Sequence, residues 1–386
     1  MKLTSATIYA LDIPFVETFR HTAAERAASD SVVIRVVTDT GVEGFGEGAP
    51  RGYVTGESVE GVIEHLGGVL WPAVAGRDLP ALNAEPDLAV LDAMIPETTI
   101  PGVLAPHASR AALELAVVDA VLRGQGISAG EVLPPRRPRV RYGAVIPVGS
   151  PDDARRLARQ IRLIGFTEVK IKVGAAEDVA RVRAVRTALG PGVTLRVDAN
   201  GAWGVTEALA VLDAIAPFGI AAAEQPLPRG SVAEWARLRS LSPIPLVADE
   251  SVVTQADLEA FIAAGAADCV NVRVSKCGGL ARSLAIARRA AAAGLRVQVG
   301  SQVGETAILS AAGRHLAATL PDVAFVEGSY GSLLLSEDVS ADGIRFGHGG
   351  DARLLTGPGL GVRIVETRLR KYARRVVELG TNGGPR

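Results

Sequence analysis

Five charged side chains, Lys172, Asp198, Glu224, Asp249 and Lys276, each close a short apolar run, and they recur at intervals of 26, 26, 25 and 27 residues. That interval is the length of one strand plus one crossover helix. The repeat therefore calls for parallel strands, with all five side chains delivered to the carboxyl edge of one sheet. The runs belong to a series of eight: 144–148 (AVIPV), 168–173 (EVKIKV), 194–199 (TLRVDA), 221–226 (AAAEQP), 245–250 (PLVADE), 269–276 (CVNVRVSK), 296–301 (RVQVGS) and 323–328 (VAFVEG). Between them lie amphipathic stretches, with Val179, Val182, Val185 and Leu189 on one helical stripe. Eight strands spaced in this way fit a closed parallel barrel better than a doubly wound open sheet.

The 386 residues exceed what such a barrel uses, so a second, smaller domain is expected. Residues Lys2 to Pro14 alternate as a strand, and SVVIRVVT (31–38) followed by GVEGFGEGAP reads as a hairpin turned by glycines. Helical spacing follows over Ser58 to Val74 and Ser109 to Arg123. The proline-rich LPPRRPRVR (133–141) reads as a linker, and the run RLLTGPGLGVRIVE returns to short β-like pieces. The expected division is an α+β domain over 1–130, a β/α barrel over 131–335, and a C-terminal segment, 336–386, completing the first domain.

Forty-one basic and 42 acidic residues leave a net charge of −1, which provides no bulk attraction for nucleic acid or an anionic membrane. Cys269 and Cys277 are too few for a disulfide framework and read as small buried hydrophobes. With no signal-like start and no apolar run of membrane-spanning length, the expectation is a cytoplasmic protein.

Three carboxylates converging on one barrel mouth repel one another unless a cation joins them. Oxygen-only ligands suit a hard ion, Mg²⁺ or in its place Mn²⁺. A lysine on either flank suits proton transfer at the carbon beside a carboxylate. One takes the proton, and the other serves the opposite face as acid, second base or cation. Such a carbon acid is far weaker than a lysine, and a divalent ion offsets most of the mismatch.

The runs KIK (170–172), VDANGAW (197–203), EQPL (224–227), ADES (248–251) and SKCGG (275–279) resemble the muconate lactonizing enzyme subgroup of the enolase superfamily. GFGEGAP (44–50) and GPGLGV (357–362) resemble that family's capping domain, so the likeness covers most of the chain. The resemblance implies a modified (β/α)7β TIM barrel with an α+β cap, and an Mg²⁺-dependent isomerase acting through an enediolate. Asp198, Glu224 and Asp249 would bind the metal, with Lys172 and Lys276 as the acid/base pair. Lys170 would tune its neighbour electrostatically, and Asn200 and Glu250 would support the ligands. A small-molecule carboxylate is the implied partner, and homo-oligomers are common in the family.

In the family the substrate is read by early cap loops and by the last two strand ends. Here these are ETFRHTAAER (17–26), PRGYVTGES (50–58), GSQVGET (300–306) and VEGSYG (326–331). Arg20, His21, Tyr53, Ser301, Gln302 and Glu327 are the substrate-binding candidates, while His65, His107, His315 and His348 lack ligand spacing and read as structural. Dipeptide epimerases carry Asp-x-Asp at the eighth strand end, and this chain has Glu327, Gly328 and Ser329 instead. Racemisation or epimerisation of an amino-acid derivative and cycloisomerisation of a muconate-like acid lead. The same lysines also serve a syn-elimination lyase such as o-succinylbenzoate synthase or an acid dehydratase. A metal-dependent binding scaffold is the non-enzymatic alternative.

Overall fold

The computed structural model describes residues 1–21 and 24–381, with side chains throughout except at 19–25. The chain opens with β1 (Leu3–Leu11), β2 (Ile13–His21), β3 (Ala24–Ser29), β4 (Val32–Thr38) and β5 (Glu43–Gly48). After helix His107–Gln125 come β6 (Arg139–Arg141) and eight parallel strands. These are β7 (Ala144–Ile146), β8 (Glu168–Lys172), β9 (Thr194–Asp198), β10 (Ile220–Glu224), β11 (Leu246–Ala248), β12 (Cys269–Val272), β13 (Arg296–Val299) and β14 (Phe325–Val326). The chain ends with β15 (Asp351–Arg353) and β16 (Ala373–Gly380).

The eight parallel strands pair in sequence order, and Gly143 N–H donates to the Val326 carbonyl at 2.9 Å, joining the last strand to the first. Helices of 10 to 14 residues fill the seven intervals. After β14 only the four-residue turn Gly331–Leu334 stands in an eighth helix's place. This is the expected (β/α)7β barrel. Its strands are buried on both faces and read as apolar runs, which is why they were visible in the sequence.

The cap sheet has the order β16-β1-β4-β5, so the last strand of the chain pairs with the first. The stretch read as a linker contributes β6, which pairs antiparallel with β15. The sixth run, CVNVRVSK, is strand only over Cys269–Val272, and Lys276 stands on a one-turn helix, Val274–Cys277, beyond the strand end. Among the described residues no helix is long and apolar enough to cross a membrane.

Packing of β5 explains its glycines. Gly44, Gly46 and Gly48 share the face turned to helix His107–Gln125, and a Cβ on them would fall 2.2, 1.9 and 2.0 Å from the carbonyl oxygens of Ala116, Ala112 and Ala108. The helix is buried almost all round and meets the strand with alanines, so backbone touches backbone. Gly46→Ala is expected to cost about 3 kcal/mol or more, because neither backbone can yield. Gly68→Ala, at an exposed position with open space, is expected to cost nothing measurable. Thermal unfolding of the two variants compares them directly.

Candidate active site

The register of the barrel sets Lys172, Asp198 and Glu224 at one height. Lys172 pairs with Asp198 across β8 and β9, and Asp198 with Glu224 across β9 and β10. Asp249 follows the end of β11. The three acids therefore occupy consecutive strands, with Lys172 on one side and Lys276 on the other. All are buried, Asp198, Asp249 and Lys276 completely.

Lys172 Nζ donates to Asp198 Oδ2 at 2.6 Å and to Asn200 Oδ1 at 2.8 Å. Asn200 has a left-handed φ of 47°, and its Nδ2 continues to Glu250 Oε1 at 3.1 Å. Opposite, Lys276 Nζ donates to Asp249 Oδ1 at 3.0 Å and to the carbonyls of Asp249 and Asn271 at 2.8 and 2.6 Å. Lys170, on the same strand face as Lys172, bridges Asp198 at 3.1 Å, Glu224 at 3.3 Å and Glu327 at 2.7 Å.

Burial acts on Lys170 and Lys276 with opposite outcomes. Burial works against the Lys170 ammonium, but Glu224, Glu327 and Asp198 outweigh it and hold the group well above its ordinary value. At Lys276 burial wins, and the ammonium is pushed down to about 8. Lys170 is thus a fixed cation, whereas Lys276 can shed its proton near neutral pH. Burial opposes the charged form of Glu327 too, yet Lys170 and Arg196 draw it down to about 2. Glu250 goes the other way, raised to about 7 by burial and by Asp198 and Glu224, and its Oε2 is buried without a hydrogen-bond partner.

Sequence reasoning missed a further polar set. The Arg273 guanidinium lies against Asp249 and reaches Glu224 Oε1 at 3.6 Å. Arg196 pairs with Glu327, and with Glu224 at 3.1 Å. Asn271 and Gln298 donate to the two oxygens of Glu224, each at 3.0 Å. The signal was present: Arg196, Asn271, Arg273 and Gln298 are polar residues interrupting buried parallel strands or their ends, in phase with the inward-facing positions.

A cavity of about 490 Å³ opens above this cluster, under the early cap loops. Tyr53, Lys170, Lys172, Asn200, Ser301, Gln302 and Glu327 line it, whereas Lys276 does not reach its surface. The Arg20 and His21 side chains lie outside the described residues. His65, His107 and His315 hydrogen-bond to Ser109 and Thr98, to the Lys276 carbonyl and to the Leu360 carbonyl, and His348 packs on Gly165.

The turn that carries Lys276 is held from the cap. Ala49 N–H donates to Ser275 Oγ at 2.9 Å, and His107 Nδ1–H donates to the Lys276 carbonyl at 2.7 Å. Glu114 accepts from Leu280 N–H and Ala281 N–H at 3.1 and 2.9 Å, capping the next barrel helix. Both cysteines are buried and free. Among the described residues, no three histidine, cysteine or carboxylate side chains stand in a ready-made coordination arrangement. The charge of the three acids is met by Lys170, Lys172, Arg196, Arg273 and Lys276.

A family model described as Enolase C-terminal domain-like matches residues 153–368, more than half of the chain. The chain belongs to the enolase superfamily. This superfamily chain is 30% identical over 377 residues to the N-succinyl-L-Arg/Lys racemase of Bacillus cereus, covering 96% of this chain and 98% of that protein. It is 30% identical over 385 residues to muconate cycloisomerase 1 of Rhodococcus opacus, covering 97% and 99%. The crystal structure of the B. cereus racemase matches with a TM-score of 0.89 at 29% identity, over 98% of this chain and 100% of that one. A dipeptide epimerase from Cytophaga hutchinsonii, complexed with Mg and D-Ala-L-Val, matches at 0.86 and 25% identity, over 98% and 100%. Relatives spanning nearly the whole chain are racemases, epimerases and cycloisomerases, and this enolase-superfamily member is an isomerase.

Proposed function

We propose that this enzyme is a Mg²⁺-dependent racemase or epimerase that moves the α-proton of a carboxylate substrate between two faces. The observation carrying this reading is the placement of Lys172 and Lys276 on opposite sides of three carboxylates on consecutive strands. Asp198, Glu224 and Asp249 would hold the metal. They offer a hard, oxygen-only donor set on three consecutive strands, and the buried Glu250 Oε2 beside them has no partner. Magnesium there would supply positive charge that stabilises a substrate carboxylate as it takes up the electron pair of the broken Cα–H bond.

The side chains perform the rest. Lys172 faces the cavity and would take or return a proton on one side of the α-carbon, while Lys276, buried below the cavity surface on the far side of the three acids, would do the same on the other. Lys170, whose ammonium the surrounding carboxylates favour, ties Glu224, Glu327 and Asp198 together. Asn200 holds the Lys172 amine on its line of approach and passes the contact on to Glu250. Magnesium-bound relatives of the dipeptide epimerase type support the choice of ion.

The test is a panel of N-acylated amino acids, dipeptides, betaines and muconates incubated in D2O with Mg²⁺ and, separately, with excess chelator. Metal-dependent loss of the α-proton signal with both enantiomers as substrate is the expected result. Exchange on a single face would replace racemisation by cycloisomerisation or elimination, and no exchange with any compound would overturn proton transfer altogether.

A further inference from the structure

A second cavity, of about 630 Å³, opens at the seam between cap and barrel. Segments 96–98 and 104–107 of the cap form one side, and segments 253–256 and 282–286 of the barrel the other. It shares no lining residue with the cavity above the lysines. Two of its borders nevertheless belong to the chemical centre. Cys277 closes the turn that carries Lys276, and Val253 and Thr254 end the segment that follows Asp249.

Most of the lining is apolar, with Leu70, Leu104, Val253 and Ile286 as its larger side chains and Leu104 46% exposed at the mouth. The polar end lies over Gly278, where Arg282 Cδ and the His107 ring both stand 3.2 Å from the place a Cβ would take. Its charges are balanced. Arg110 meets Asp92 at 2.8 Å, and Arg282 meets Asp92 at 3.4 Å and also pairs with Glu97. The two hydroxyls are engaged as well, Thr98 with His65 and Thr254 with Asp257.

His107 is the exception. Its Nδ1–H donates to the Lys276 carbonyl, so its Nε2 is a bare acceptor, and that nitrogen has no hydrogen-bond partner among the described residues. Burial pushes the ring down to about 4, which keeps it neutral and the lone pair available. A residue only 6% exposed that lines a cavity and lacks one hydrogen bond calls for a donor from whatever enters. A ligand with a net charge would upset the balanced set of two arginines and two acids.

We infer that this cavity is a second ligand site, which takes a neutral, largely apolar molecule whose O–H or N–H donates to His107 Nε2 while its body lies against Leu70, Leu104, Val253 and Ile286. The volume suits a small molecule. A hydrogen bond accepted at Nε2 polarises the imidazole and strengthens donation from Nδ1, so the ligand tightens the turn of Lys276 through its backbone. Binding and this tightening stand apart from the proton-transfer reading, and only an effect on turnover rests on it.

The experiment titrates the Mg²⁺-loaded enzyme with benzyl alcohol, toluene and benzoate by calorimetry and follows amide hydrogen exchange with and without benzyl alcohol. Benzyl alcohol is expected to bind at one site per chain with a Kd of about 1 mM, and toluene and benzoate about tenfold more weakly or less well still. Amide exchange at Cys277, Gly278 and Gly279 is expected to slow severalfold on binding. Ala285→Trp and, from the facing helix, Ala256→Trp plug the cavity from exposed positions, and each is expected to lose the binding while the thermal midpoint holds. His107→Asn replaces the Nδ1 donor with an amide N–H and removes the Nε2 acceptor, and it is expected to bind benzyl alcohol no better than toluene. Absence of saturable binding to the wild-type chain, or binding that persists in both tryptophan variants, would overturn the site. Toluene binding as well as benzyl alcohol, or benzoate binding better, would overturn the neutral donor. Unchanged amide exchange at 277–279 in the bound enzyme would overturn the link to Lys276.

Discussion

In D2O, Lys172→Ala is expected to exchange the α-proton of one enantiomer only and Lys276→Ala that of the other, with racemisation lowered by roughly 10² to 10⁴-fold or more in each. The assignment follows from strand order, since β9, β10 and β11 separate the two lysines and place a substrate held at the three acids between them. Proton NMR of each enantiomer separately reads the result. If one substitution abolishes all exchange and the other leaves it unchanged, a single lysine handles the proton and the reaction is a one-face process. Exchange on both faces in the double variant would remove both lysines from the mechanism.

The second large effect is loss of the ion. Excess chelator is expected to reduce turnover below detection, and added Mg²⁺ to restore it, because the cations of the cluster are already committed to its carboxylates and would not balance a second negative charge on the substrate. Saturating Mg²⁺ at about 100 times its Kd contributes about 2.7 kcal/mol to the native state, a rise of about 3 °C in the thermal midpoint for a chain of this length. The shift is a readout independent of substrate. Asp198→Asn is expected to lose it, and to lower the starting midpoint as well. Asp198 is fully buried between Lys170 and Lys172, and removing one partner of a buried ion pair costs about 3 to 5 kcal/mol. Full activity in chelator would dispose of the metal.

The barrel and its chemical centre were legible for one physical reason. Parallel strands buried on both faces must be apolar, so a charge at the end of each, repeated with the β/α period, stands out against its background. The same contrast places Lys172, Asp198, Glu224 and Asp249 at the carboxyl ends of four consecutive strands. It fails at Lys276, where a helical turn continues the apolar run after Val272 and sequence pattern cannot tell the two apart. It fails again for Arg196 and Gln298, which lie inside the strands and look like imperfections until the inward phase is counted. β16 was missed because its burial is partial and its arginines mask the alternation, while its partner β1 lies at the other end of the chain. The wall of the cavity above the lysines joins residues of helix Pro151–Ile164 to Phe346, a separation that no local pattern bridges. The cap's contribution is likewise long-range: Glu114 meets Leu280 and Ala281 across 166 and 167 residues.

That cap-held turn gives the two lysines different origins. Lys172 is set by the barrel wall, through its strand and its neighbours Asp198 and Asn200. Lys276 is set in part from outside the barrel, by Ala49, His107 and Glu114 acting on the backbone and side chains around it. The boundary between the domains therefore runs through the catalytic apparatus and does not pass around it. A barrel cut free of its cap would keep Lys172 in register and leave Lys276 held only by Asp249 and Asn271. A cap transplanted from a relative would bring in part of the proton-transfer geometry along with its substrate loops. In this chain the N-terminal segment that overhangs the cavity also holds the turn of Lys276, so a change to one bears on the other.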